Sequence, residues 1–202
     1  DNGELDCSPP VGIAFGAVPL VPLGEPLSTP VVLRNMGNEL LNVQSVALGA
    51  GSSQEFSLEP EAFSVELQPF QEGSTPDEAE ISIVYSPLDG GSDEGVLQIS
   101  SNDPDDRIIE VPLSGAGIAP RICSDPLHLE FSRVAVDYST SRSFTVTNCG
   151  LLPLTMGTIH FGEQSSPEFT FEALPLTPFD LQPEEQVEIS VLYSPVDTGP
   201  DG

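Results

Sequence analysis

The sequence predicts an all-β fold: two tandem β-sandwiches, the second lacking its last two strands. Three observations carry this. Pro and Gly number 21 and 18 in 202 residues, and Pro is poorly tolerated inside helices, so short elements joined by turns are expected. The apolar residues fall in short runs rich in Val, Ile and Leu, and no segment offers a helical stripe of useful length. Finally, the chain repeats itself.

The repeat is read from matched segments in constant order. Ile81-Ser82-Ile83-Val84-Tyr85-Ser86-Pro87 returns as Ile189-Ser190-Val191-Leu192-Tyr193-Ser194-Pro195. Val32 to Gly37 matches Thr145 to Gly150, Leu67-Gln68-Pro69 matches Leu181-Gln182-Pro183, and Glu55-Phe56 matches Glu168-Phe169. Cys7-Ser8 matches Cys123-Ser124, and Phe15 matches Phe131. The offset drifts from 116 through 113 to 108, as when only loops change length.

Within the first copy, strands are expected at Val31–Asn35, Leu40–Leu48, Ala79–Tyr85, Val96–Ser100 and Ile108–Leu113. Glu80 to Tyr85 and Gly95 to Ile99 nearly alternate, as half-buried strands should. Gly49-Ala50-Gly51-Ser52-Ser53, Gly73-Ser74-Thr75-Pro76 and Asp89-Gly90-Gly91-Ser92 read as the turns between them. About seven short strands in ~110 residues is the count of an immunoglobulin-like sandwich. The expected organisation is a stub at 1–6, a sandwich at 7–117, a linker at 118–122 and a second sandwich at 123–202, with Ser114 to Pro120 joining the two. The second copy stops after the counterpart of Asp89-Gly90-Gly91, so the equivalents of Gly95 to Gly117 are missing. Two explanations stay open: a shortened chain, or strands supplied by a neighbouring subunit through β-augmentation.

Asn35-x-Gly37 and Asn148-x-Gly150 follow β-runs, and Tyr-Ser-Pro follows in each copy. Next come Gly95-x-Leu97-x-Ile99-x-Ser101-Asn102-Asp103-Pro104 and Val111-x-Leu113-x-Gly115-x-Gly117. Together these resemble the ASPM/SPD-2/Hydin (ASH) type of immunoglobulin-like domain. The bacterial form of that type is the choice-of-anchor D surface protein, and the fold is related to that of the major sperm protein. The resemblance implies a β-sandwich used as an array or adhesion module, with no enzyme activity attached to the fold.

Charge excludes several partners. The chain carries 32 acidic and 5 basic residues, all five of them Arg, for a net charge of −27. A nucleic-acid binder needs a cationic face, and docking on anionic lipid uses Lys/Arg clusters. No apolar run approaches the ~18 to 20 residues that span a bilayer. Asp1-Asn2-Gly3-Glu4 has neither a cationic nor an apolar leader character, so a secreted form is expected to have shed its signal peptide.

The chemistry-bearing residues read mostly as structural. Asn35, Gly37, Asn148 and Gly150 are expected to close strands in tight turns, since Asn and Gly tolerate positive φ. Asn102, Asp103 and Pro104 read as a further structural turn. Asp103, Asp105 and Asp106 also form a weak Ca²⁺ candidate, because that ion takes six to eight oxygen ligands. His128, placed in the opening strand of copy two, and His160 read as surface residues without metal partners. No nucleophile elbow, P-loop or zinc-protease motif occurs, so no catalytic residue and no other cofactor is expected.

Three cysteines leave one over. If Phe131 ends the first strand of copy two and Arg142 begins the next, antiparallel pairing sets Cys123 opposite residue 150, beside Cys149. A Cys123–Cys149 disulfide would close a loop of ~25 residues, contribute about 3 kcal/mol and place the chain outside a reducing cytosol; two buried thiols are the alternative. Cys7 would stay unpaired, because Met36 occupies the position of Cys149. The expected function is that of a structural module of a bacterial extracellular or cell-surface protein, partnered by itself or by neighbouring modules. The alternatives are a fibre subunit completed by donor strands, and an adhesin for glycan or protein, Ca²⁺-dependent or not.

Overall fold

The computed structural model describes residues 5–8 and 11–198. It is all β. The chain divides into two compact units, Asp1–Ile118 and Ala119–Gly202.

The first unit stacks two sheets. One holds β1 (Leu5–Ser8), β3 (Leu27–Asn35), β7 (Glu78–Tyr85) and β5 (Phe56–Glu59) in the order β1-β3-β7-β5. The other holds β2 (Ile13–Pro19), β9 (Ile108–Ile118), β8 (Gly91–Ser101), β4 (Leu41–Leu48) and β6 (Val65–Leu67) in the order β2-β9-β8-β4-β6. Two facing sheets of this kind make an immunoglobulin-like sandwich. The core follows from period-two alternation. Val31, Leu33, Ile81, Ile83 and Tyr85 point inward from the first sheet, and Val43, Leu97, Ile99, Val111 and Leu113 from the second, all nearly inaccessible to water. Each such side chain stabilises the fold by about 1.5–3 kcal/mol.

The second unit reproduces one sheet and only a corner of the other. β10 (Ile122–Asp125), β11 (Thr140–Asn148), β15 (Gln186–Tyr193) and β13 (Phe169–Ala173) run in the order β10-β11-β15-β13, matching β1-β3-β7-β5. The other sheet is a pair, β12 (Leu154–Met156) with β14 (Phe179–Leu181). That pair keeps the register of its counterpart, Leu154 opposite Leu181 as Leu41 is opposite Leu67. Its fully buried centre is small, built on Val146, Leu181 and Ile189, with Phe144, Ile159 and Phe171 partly covered.

Among the described residues the second unit has fewer strands than the first. In the first unit β2 pairs in parallel with β9, and the far half of β4, Val43 to Leu48, pairs with β8. The second unit has no described equivalent of β8 or β9, and there residues 126–139 and 157–161 contain no strand. His128 therefore stands on irregular backbone and not in an opening strand as expected. Backbone groups without a cross-strand partner have no reason to hold an extended ladder.

Two boundaries differ from expectation. β1 begins at Leu5, inside the presumed stub, and Ser114 to Ile118 belong to β9 instead of a linker. The small residues of this stretch are there for packing. A β-carbon on Gly115 would lie 2.5 Å from Cε1 of Tyr85 and 2.6 Å from its Cζ, so the ring rests on bare strand backbone. Gly115→Ala should destabilise the first unit by about 1–3 kcal/mol through overpacking, read as a lower denaturation midpoint at unchanged m-value.

Candidate functional site

The repeated motifs turn out to be clamps that fasten loops to sheets. Asn35 is fully buried at the end of β3. Its Nδ2 lies 2.8 Å from the carbonyl of Glu39 and 3.0 Å from those of Leu67 and Gln68, and its Oδ1 accepts the N–H of Gly37 at 3.0 Å. One side chain thus ties the end of a strand in one sheet to the end of β6 in the other. Asn148 repeats the device, donating to Leu152 at 2.8 Å and Leu181 at 2.9 Å while accepting from Gly150 at 2.9 Å. The expected turns are present, since each Oδ1 accepts the N–H two residues on, but they do not use positive φ. Neither Asn35, Gly37, Asn148 nor Gly150 has one. The residue type is needed because a buried amide can donate and accept at once.

Glu55 and Glu168 form a second clamp whose role the sequence left unassigned. Glu55 Oε1 accepts the N–H of Leu88 at 2.7 Å and of Asp89 at 3.1 Å, and its carbonyl accepts the N–H of Ser86 at 2.9 Å. Glu168 likewise accepts from Val196 at 2.6 Å and, by its carbonyl, from Ser194 at 2.9 Å. The recurrence of Glu-Phe together with Tyr-Ser-Pro was the signal: the glutamate holds the loop that leaves the tyrosine strand.

Beside that clamp, Tyr85 donates to Asp93 Oδ2 at 2.5 Å, and Ser53 donates to Asp93 Oδ1 at 2.7 Å. Burial, then the hydrogen bond to Asp93 and the charges of Asp93, Glu55 and Asp89, push the Tyr85 phenol above its ordinary value. For Asp93 burial acts upward, but the hydrogen bonds from Tyr85 and Ser53 outweigh it and hold the carboxyl below the usual range.

Asn102 bridges the β8–β9 turn to β4, accepting from Asn42 N–H at 2.6 Å and donating to the Leu40 carbonyl at 3.1 Å. The Ca²⁺ candidate is an Asx turn in this structure. Asp103 is buried, and its Oδ1 accepts the N–H groups of Asp105 at 2.9 Å and Asp106 at 3.3 Å, with Pro104 inside the turn. Among the described residues no group of three or more His, Cys, Asp or Glu side chains is placed to hold a metal ion.

Cys123 and Cys149 form a disulfide, their Cα atoms 5.9 Å apart. The register beneath it differs from the sequence argument: Cys123 pairs with Thr147, not with residue 150. That argument ran one strand from Cys123 to Phe131, whereas β10 ends at Asp125. Cys7 pairs with Leu33 in β1, while Thr147 is the counterpart of Arg34, so Cys7 and Cys123 are not equivalent in register. The side chain of Cys7 lies outside the described residues.

The largest departure between the units is an aromatic-lined groove on the second. Phe131, Phe169 and Tyr193 keep the triangle of Phe15, Phe56 and Tyr85: the stacked pair has centroids 4.8 Å apart in both units. The first triangle is buried, the second only half-buried. A groove of about 550 Å³ opens there, lined by Leu129, Phe144, Ile159, Phe161, Phe171 and Val191 among others, with His160 exposed at its rim. It occupies the place that β2, β9 and β8 fill in the first unit.

Asn35→Ala should cost the first unit about 1–3 kcal/mol, since the buried carbonyls it serves lose their donor; Asn148→Ala should do the same to the second. Tyr85→Phe probes the phenol–carboxylate pair through pH. Asp93, with its depressed value, stabilises above its unfolded value of 3.8 and ceases to as pH falls through the folded one. Tyr85, with its raised value, stabilises below 10.0 and ceases to as pH rises through the folded one. The stability gap between wild type and Tyr85→Phe should therefore be widest between about pH 4 and 10 and shrink outside it, measured by urea denaturation across pH.

No protein-family model and no curated protein matches the sequence. Among solved structures, the chain is similar to the ASH / PapD-like domain of human CEP192 (PapD-like domain 7), at 14% identity and a TM-score of 0.41, over 59% of this chain and 88% of that one. It is similar to a protein of unknown function from Porphyromonas gingivalis W83, at 14% identity and a TM-score of 0.40, over 95% of this chain and 84% of that one. It is also similar to the YadV chaperone, at 13% identity and a TM-score of 0.38, over 98% of this chain and 88% of that one.

Proposed function

We propose that this chain is a non-enzymatic structural module of an extracellular or cell-surface assembly, of the ASH and choice-of-anchor D kind, acting through sheet surfaces and edges. The observation that carries the reading is the repeated sheet, β1-β3-β7-β5 in the first unit and β10-β11-β15-β13 in the second, each bounded by edge strands among the described residues. A sheet edge with unpaired N–H and C=O groups is a template for another strand. The buried polar side chains support the same reading from the other side. Asn35, Asn148, Glu55, Glu168 and Asp103 hold loops in place, which leaves surface and edge as the means of action.

The Cys123–Cys149 disulfide supports an oxidising compartment, and a net charge of −27 keeps identical modules apart in solution. A fibre completed by donor strands across such edges is the second reading. An antibody against the chain should label intact cells of the organism that makes it, and the native protein should carry Cys123 and Cys149 as a disulfide by non-reducing mass spectrometry. Labelling only after permeabilisation, with both thiols open to alkylation, contradicts the proposal.

A further inference from the structure

The Cys123–Cys149 disulfide sits on one face of a ladder that runs past the ends of β10 and β11. Cys123 lies opposite Thr147. One step along the same face, Arg121 lies opposite Cys149. There the N–H of Cys149 donates to the Arg121 carbonyl at 2.7 Å, and the N–H of Leu151 donates to that of Ala119 at 3.0 Å. The bridge therefore runs diagonally across the ladder. Side chains two apart along a strand share a face, so the Arg121 guanidinium stands beside the bridge, with Nη2 3.9 Å from Cys123 Sγ.

Two further observations give the bridge a direction. Cys149 is exposed, whereas Cys123 is half-buried. That exposure belongs to the loop after the strand, because Met36, the counterpart of Cys149, is 40% accessible in the first unit. The second observation is charge. The chain has 32 acidic residues and 5 Arg, yet among the described residues no carboxylate pairs with Arg121, whose guanidinium is directed at sulfur.

Thiol–disulfide exchange needs an accessible sulfur to attack and a thiolate that leaves readily. A cation beside a sulfur stabilises its thiolate. We propose that this disulfide is an exchange site that captures an external thiol on Cys149, with Cys123 as the leaving group. The incoming thiolate bonds to Cys149 Sγ as the Sγ–Sγ bond breaks, and the electron pair of that bond stays on Cys123 Sγ, beside Arg121. The incoming sulfur is oxidised to the disulfide level and Cys123 is reduced, so the step needs no other oxidant or reductant. Return attack by the Cys123 thiolate on Cys149 Sγ expels the thiol and closes the bridge again. The ligand is a thiol that reaches Cys149, carried by a small molecule or by a cysteine of a neighbouring protein. The site rests on the disulfide alone and is independent of the assembly reading above.

The test treats the folded 202-residue protein with mercaptoethanol, and separately with a short uncharged peptide carrying a single cysteine. Samples are quenched in acid, their free thiols are blocked with N-ethylmaleimide, and peptide mass spectrometry reads which cysteine carries the adduct. The adduct should lie on Cys149 in preference to Cys123 by at least about 10-fold, since the more accessible sulfur is attacked and the better-stabilised thiolate leaves. Arg121→Gln should slow capture by about 5-fold or more and weaken that preference, while Arg121→Lys, which keeps the charge, retains both. An adduct shared equally or placed on Cys123 overturns the proposal. So does capture that occurs only in denaturant, or an Arg121→Gln protein that matches wild type. The wild-type measurement uses no variant, so misfolding of a mutant cannot mimic failure. Capture of mercaptoethanol alone identifies small thiols as the ligand, and capture of both probes admits a protein thiol.

Discussion

Every described strand of this molecule has another strand beside it that takes up its backbone hydrogen bonds. A β-strand makes no hydrogen bonds within itself, so its N–H and C=O groups must find partners across a ladder or in water. In the first unit β8 and β9 occupy the middle of their sheet, with β4 on one side and β2 on the other. β2 pairs with β9, and the far half of β4 pairs with β8. In the second unit, among the described residues, β2, β8 and β9 have no counterpart strands, the counterpart of β4 is Leu154–Met156, and the aromatic triangle is half-buried.

What does not depend on β8 and β9 is retained. The β10-β11-β15-β13 sheet repeats β1-β3-β7-β5, and β11 runs from Thr140 to Asn148 as β3 runs from Leu27 to Asn35. The clamps survive too, because Asn148 and Glu168 reach the ends of β14 and the loop after β15, all inside the retained part. The Tyr85–Asp93 contact does not carry over in the same form, since Asp93 lies on β8.

Much of this was legible in the sequence, and the limits have physical causes. The all-β class and the repeat followed from local alternation and matched segments, which are properties of neighbours along the chain. The Asn-x-Gly positions do form the expected turns, each Oδ1 accepting the glycine N–H, but the turn is only part of their work. A turn is a local device, whereas Asn35 acts on carbonyls at Leu67 and Gln68, more than thirty residues away. Ser114 to Pro120 read as the join between the sandwiches, whereas β9 runs to Ile118 and the ring of Tyr85, distant in sequence, excludes a side chain at Gly115. The register of Cys123 failed for a related reason. The segment after β1 crosses to the other sheet in the first unit, and index counting across such a switch does not hold.

The central claim is that backbone pairing through the β8–β9 position decides which segments are strands. Hydrogen exchange compares the two units within one molecule. Amides of Ile13 to Val18 and Val43 to Leu48 should be strongly protected, while those of 129–135 and 157–161 exchange at least about 100-fold faster, the signature of local structure with little opening free energy. Comparable protection in the two sets of segments would contradict the account.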